Sequence, residues 1–238
     1  MKYSKRYQTC WHDTDACRRM RPSQLLVYMQ EASNHHVADT GMTLDDLRDE
    51  KKLGFILSKI QIAIYRPLVA YEDIQVQTWT CKGRGFSSPR CFRILKDGEV
   101  VAEANSQWAL LGIEDRKFHR LEETGYQFED EEPLALDIPP RIRFPAELAL
   151  EKLGERRIVY SDLDYNMHMN NTRYPDMLCD YMPLADVGCI RGLSLSYLHE
   201  AAFGNVMTVL GGKHDGSYYF RTLNEEGTVC LEAQILLN

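Results

Sequence analysis

Two hydrophobic periods alternate along the chain, and each switch between them predicts a change of element. Residues 22–38 carry Leu25, Leu26, Met29, Ala32 and Ser33 on one stripe at helical spacing. Pro22 fits a first helical turn and Gly41 a stop, so one long helix is expected there. Thr43 heads a second, short helix over residues 44–47. Residues 55–65 alternate instead, with Phe55, Leu57 and Lys59 on one face and Ile56, Ser58, Ile60, Ile62 and Ile64 on the other, as in a strand. Strands are also expected over residues 73–81, 88–95 and 100–111, the last two joined by the turn signal Asp97-Gly98.

Residues 112–155 break this pattern with Glu129-Asp130-Glu131-Glu132, Pro133, Pro139 and Pro140, which read as a linker with a solvated acidic face. Beyond it the same order of elements resumes. Cys10-Trp-His-Asp-Thr-Asp15 overlies Val159-Tyr-Ser-Asp-Leu-Asp164 at an offset of 149 residues. Each half also ends in a related hairpin, residues 92–104 and 220–233. The chain therefore reads as two copies of one α+β module, residues 1–118 and 155–238, joined by a linker over residues 119–154.

The copies differ where chemistry is expected. In residues 160–174, Asp164, Asn166 and His168 recur at every second position, so an extended backbone directs them to one side, away from Leu163, Tyr165, Met167 and Met169. A helix is expected over residues 172–182, with Tyr174, Met177, Leu178 and Tyr181 inward and Asn170 or Asn171 as its cap. A carboxylate, an amide and an imidazole ahead of a helix start form an enzyme-like arrangement, and amides near Asn170 and Asn171 are candidates for an oxyanion hole. The first copy keeps Asp15 but has Cys17 and Arg19 in place of the amide and imidazole. Glu200, following the first strand after the second helix, is the distant carboxylate expected to meet Asp164 and His168.

Composition narrows the classes. With 44% hydrophobic and 26% charged residues among 238, the chain has enough apolar material for a folded core. A net charge of -7 argues against nucleic acid as the main ligand. The polar, charged N-terminal residues do not resemble a signal peptide and no run matches a membrane span, so a cytoplasmic protein is expected. Seven cysteines, odd in number and without a Cys-x-x-Cys pair, read as reduced structural thiols, with Cys81 and Cys91 on neighbouring strands; no metal site and no cofactor are expected.

The repeat, residues 55–65, Ala104-Asn-Ser-Gln-Trp-Ala-Leu-Leu111 and above all Ser161-Asp-Leu-Asp-Tyr-Asn-Met-His-Met-Asn-Asn171 resemble the acyl-ACP thioesterases of plants and bacteria over nearly the whole chain. The resemblance implies a tandem double hot-dog fold, each module an antiparallel sheet wrapped around a long helix. It implies a catalytic set of Asp164, Asn166, His168 and Glu200, acting on a fatty acyl thioester carried on the phosphopantetheine arm of acyl carrier protein. Plant members carry a cysteine directly after the glutamate, where this chain has Ala201, so cysteine attack from that position is excluded. Asp164 or a water molecule is left as the nucleophile. An apolar tunnel is expected in the first module, with Met29, Ile60, Ile62 and Trp108 as its lining and Asn170 and Asn171 near the thioester. Arg18, Arg19, Arg21, Lys82, Arg84, Arg90 and Arg173 are candidates for a basic landing area for the carrier. A tandem chain is compatible with a monomer or a homodimer. Three other readings stay open: a hydrolase of small acyl-CoA thioesters, a dehydratase or hydratase of acyl thioesters, and a non-catalytic acyl-binding module.

Overall fold

In the computed structural model, residues 2–41, 43–83, 85–124 and 131–238 are described. The first half contains β1 (Tyr3–Gln8), α1 (Pro22–Ala38), α2 (Leu44–Asp49), β2 (Leu53–Ile64), β3 (Asp73–Thr80), β4 (Ser87–Lys96), β5 (Glu99–Gly112) and the short β6 (Phe118–His119). The second contains β7 (Glu151–Arg157), α3 (Tyr174–Cys179), α4 (Leu184–Val187), β8 (Ile190–Tyr197), β9 (Val206–His214), β10 (Ser217–Leu223) and β11 (Val229–Leu237). They form an 11-stranded sheet in the order β1-β3-β4-β5-β2-β8-β11-β10-β9-β7, with β6 beside β5. Apart from β6, each strand has its counterpart at the mirrored place in that order, so the repeat in the sequence is a repeat in the sheet. The halves join through antiparallel β2 and β8, from Lys59 opposite Ser196 to Ala63 opposite Gly192.

Local sequence explains most boundaries. Pro22 opens α1, and the chain turns after it at Gly41, whose φ of 89° suits a residue without Cβ. The Thr43 hydroxyl accepts from the Asp46 amide at 3.1 Å and caps α2. Asp97 and Gly98, at φ 51° and 84°, make the tight turn between β4 and β5. β2 departs from strict alternation: a bulge between Leu57 and Lys59 shifts its register against β5, so Leu57, Ile60 and Ile62 are all buried.

The second half lacks the long helix expected of each module. A 3-10 turn, Asn171–Arg173, leads into α3, which ends at Cys179. Pro175 lies in the first turn of α3 and Pro183 stands just beyond it, where neither a backbone donor nor a helical predecessor is available. Met29, Ile60, Ile62, Phe92, Leu178 and Phe220 nevertheless share one core cluster drawn from both halves.

The segment expected as a linker is laid along the sheet. The Gln61 amide donates to the Pro139 carbonyl at 2.6 Å, the Asn105 amide to Leu134 at 2.8 Å, and the Phe144 ring lies 5.7 Å from that of Tyr219. Gly192 and Gly212 make the close approach feasible, since a Cβ would meet Ile138 at 2.9 Å and Leu148 at 2.9 Å respectively. β7 begins at Glu151, inside the expected linker range. Of the acidic run, Glu129 and Asp130 lie outside the described residues, while Glu131 bridges Cys81 in parallel. The Cys81 and Cys91 sulfurs lie 3.2 Å apart on neighbouring strands, both buried.

Because the Phe220 side chain is wholly buried, truncating it leaves a cavity on the inner side of the second half. Phe220→Ala is expected to lower unfolding stability by about 3–5 kcal/mol, read as a lower urea midpoint; a loss below about 1 kcal/mol would contradict this view of the core.

Candidate active site

Asp164, Asn166 and His168 do not project from an extended strand. Residues 163–169 close into a turn, with Leu163 bridged to Met169 and the Asp164 amide donating to the His168 carbonyl at 2.9 Å. The Met167 amide donates to the Asp164 carbonyl at 3.1 Å, and Met167 takes a φ of 66°. An Asp164 carboxylate oxygen accepts the Asn166 amide at 2.8 Å, so this carboxylate builds the turn. Tyr165 and Met167, expected on the side opposite the polar set, are 74% and 59% exposed and border the same space as Asn166 and His168.

The first half repeats this turn bond for bond. The Asp15 amide donates to Arg19 at 2.9 Å, the Arg18 amide to Asp15 at 3.0 Å, and the Asp15 carboxylate accepts the Cys17 amide at 2.8 Å, with Arg18 at φ 59°. The next residues are anchored alike, the Met20 amide on the Leu68 carbonyl and the Met169 amide on that of Ala201. Pro67 therefore stands where the second half has Glu200. Only a space of about 20 Å³ remains at that place, beside Asp15, Arg19 and Pro67, which is room for about one water.

At the other turn, His168 Nε2 lies 3.3 Å from a Glu200 carboxylate oxygen. His168 also bridges Ala202 through its backbone, which draws the loop after β8 against the turn. The first half contributes two cations. Arg116 donates to the same Glu200 oxygen at 2.9 Å, and Arg48 donates to the Asn166 side-chain oxygen at 2.9 Å while its guanidinium lies 4.5 Å from the centre of the Tyr165 ring. With that oxygen engaged, the Asn166 NH2 group has no hydrogen-bond partner among the described residues.

These groups border a cavity of about 550 Å³ that extends under α1 and α2 over the ends of β2, β5, β4 and β3. Its apolar wall includes Val37, Leu47, Phe55, Ile56, Trp108 and Leu111. The Trp108 indole donates to the Ser106 hydroxyl at 2.8 Å, which leaves the ring to present apolar surface. Asn166, His168 and Glu200 line this space, and Asp164 does not.

Several expected positions are corrected. Trp108 lines the cavity, but Met29, Ile60 and Ile62 do not, because they are fully buried in the shared core. The Asn170 side chain accepts the Thr172 amide at 2.9 Å as a cap, and the Asn171 carbonyl accepts the Tyr197 hydroxyl at 2.8 Å; neither residue borders the cavity. Arg19 lies beside Ile64 and Pro67 at the far end of β2, roughly 30 Å along the strand from Gly54 and Ile56 at the cavity. Arg18 belongs to the same turn, and Arg21 reaches Asp176 at 3.8 Å, so these three arginines are not at the mouth. Arg90 is buried in the cavity wall, Lys82 and Arg173 are exposed, and Arg84 lies outside the described residues. Arg48 and Arg116 escaped the sequence reading. Their signal was topological: Arg48 lies in α2, which leads into β2, and Arg116 follows β5, the antiparallel partner of β2, so both reach one sheet end.

Two tandem hot-dog halves, with a polar set of one half facing an acyl-sized cavity of the other, define the class of this molecule. The family model described as the acyl-ACP thioesterase N-terminal domain matches residues 1–127, and the acyl-ACP thioesterase C-terminal domain matches residues 149–235. The chain belongs to the acyl-ACP thioesterase family. It is 25% identical over 205 residues to the chloroplastic oleoyl-acyl carrier protein thioesterase 2 of Arabidopsis thaliana, covering 76% of this chain and 55% of that protein. It is 25% identical over 203 residues to the chloroplastic palmitoyl-acyl carrier protein thioesterase of Cuphea hookeriana, covering 77% and 48%. The chain thus spans about half the length of these curated relatives. An acyl-ACP thioesterase from Bacteroides thetaiotaomicron shares the fold with a TM-score of 0.88 at 21% identity, covering 100% of this chain and 98% of that one. The 12:0-ACP thioesterase from Umbellularia californica does so with a TM-score of 0.87 at 17% identity, covering 100% and 97%. Among the described residues, no helix is long and apolar enough to cross a membrane.

Away from His168 and Glu200, burial and the Arg90 guanidinium lower the pKa of His36 from 6.5 to about 4. As pH falls, the unfolded chain takes up this proton first, so folding stability declines between about 6.5 and 4 and is untouched by this group above that window. His36→Gln is expected to flatten this part of a urea-midpoint profile against pH. A His36 imidazole titrating near 6.5 in the folded protein by NMR would refute the assignment.

Proposed function

We propose that the protein hydrolyses the thioester of a fatty acyl-acyl carrier protein, releasing free fatty acid and the holo carrier. The observation that carries this reading is the close approach of His168 and Glu200 at one end of an acyl-sized cavity formed by both halves. Family membership supports the substrate class.

A thioester already has a good leaving group, since a thiol ionises near pH 8.5, so hydrolysis chiefly needs an activated water and a stabilised oxyanion. Glu200 and His168 form the pair that takes the proton from water, and Arg116 hydrogen-bonds the carboxylate. The free NH2 group of Asn166 is the donor for the water or for the tetrahedral oxygen, oriented by Arg48 on its carbonyl side. Asp164 is a positioning residue, because one of its carboxylate oxygens accepts the Asn166 amide within the turn and the residue does not border the cavity. Water rather than Asp164 is therefore the nucleophile in this reading. Arg48 and Arg116 are the cations that an acidic carrier, or the phosphate of its arm, meets at the mouth.

The test is thiol release from matched acyl-carrier and acyl-CoA substrates. His168→Ala and Glu200→Ala are each expected to reduce kcat by about 10²–10⁴-fold while the fold is retained. A variant near parental turnover would remove that residue from the chemistry, and equal rates on matched carrier and CoA thioesters would sink the carrier-protein assignment in favour of a small-molecule acyl-CoA hydrolase.

A further inference from the structure

The cavity does not end as a hydrocarbon chain would require. Its lining includes Ser33 and Ser88, which are only 8% and 4% exposed, and neither hydroxyl has a hydrogen-bond partner among the described residues. His36 borders the same region. Arg90 donates to its Nδ1 at 3.0 Å, which places the proton of the neutral imidazole on Nε2, and that N–H also lacks a hydrogen-bond partner among the described residues. A methyl terminus lodged here would displace water from these groups and return no hydrogen bond.

Strand order shows how far along a chain these groups stand. Glu200 follows β8, and across the sheet come β2, β5 and β4, with Leu57 opposite Trp108 and Trp108 opposite Ser88. Three strand spacings of about 4.8 Å separate β8 from Ser88, or roughly 14 Å. An extended single-bonded chain advances about 1.2 Å per bond, so the polar wall meets a chain roughly twelve bonds from the thioester.

Resting on the thioesterase reading above, we propose that the acyl group this cavity selects is a medium-length chain bearing a hydroxyl at or near its distal end. A hydroxyl both donates and accepts, which matches two serine hydroxyls and an imidazole N–H.

The experiment compares kcat/KM for thiol release from decanoyl and dodecanoyl carrier thioesters with that from their terminally hydroxylated and terminally carboxylated counterparts. The hydroxylated chains are expected to be preferred by about tenfold, the worth of one or two net hydrogen bonds, and the Ser33→Ala/Ser88→Ala double variant to bring the ratio close to one. Preference for unsubstituted chains of any length, preference for the carboxylated chain, or a hydroxyl preference that survives the double variant would overturn the proposal. Calorimetric binding of the matching free acids separates this from failure of the thioesterase reading. Absent thiol release with tighter binding of the hydroxy acid would refute hydrolysis alone, whereas equal binding of hydroxylated and plain acids would refute the proposal whether or not hydrolysis occurs.

Discussion

The antiparallel ladder between β2 and β8 is the constraint on which the rest depends. It runs only from Lys59 opposite Ser196 to Ala63 opposite Gly192, yet it joins two sheets into one and fixes the halves in opposite directions. One end of β2 therefore meets the loop after β8, and the other meets the turn before α1. Ile60 and Ile62 face Leu195 and Leu193 across it, all four buried in the common core, so the ladder is reinforced by apolar burial worth about 1.5–3 kcal/mol per side chain. A site assembled from Asn166, His168 and Glu200 of one half and Trp108, Arg48 and Arg116 of the other can exist only because this register is fixed.

The duplicated turn separates architecture from chemistry. Asp15 and Asp164 make the same backbone bonds, although one turn faces about 550 Å³ of space and the other about 20 Å³. What differs is the neighbour supplied by the following strand: Glu200 lies by one turn and Pro67 by the other. A carboxylate that closes the same turn in both places is a structural part of both, and the difference in potential chemistry resides in Asn166, His168 and Glu200. The unused copy is closed by Met20, Leu25 and Leu68, packed where the other half opens a cavity.

Much of the fold was legible in the sequence because its signals are local. The stripe of α1, the Thr43 cap and the Asp97-Gly98 turn depend on residues close together in the chain, and the repeat of Asp15 in Asp164 shows as one constant offset of 149 residues. The two-residue alternation of Asp164, Asn166 and His168 was also real, but an Asx turn uses that spacing as readily as a strand does, and only the Asp164–Asn166 hydrogen bond distinguishes them. Met29, Ile60 and Ile62 have the same apolar character as Phe55, Ile56 and Leu111, so side-chain chemistry could not separate core from cavity wall. That distinction depends on the bulge near Ser58, which shifts which positions of β2 face the core. The arginines were misplaced because charge marks a surface without saying which end of β2 it occupies.

Magnitudes indicate what holds His168 and Glu200 in place. The Arg116–Glu200 pair is 60% and 41% exposed, and pairs of this kind typically contribute about 0–1 kcal/mol because water screens them and long side chains lose entropy on pairing. The backbone around the turn is held differently, by the Leu163–Met169 bridge, the Asp164 amide on His168 and the Met169 amide on Ala201, several bonds that must break together. The position of His168 is thus set by the backbone, and Arg116 adjusts only the carboxylate facing it. A cation held so weakly can exchange Glu200 for another anion at the mouth without disturbing the turn that carries the imidazole.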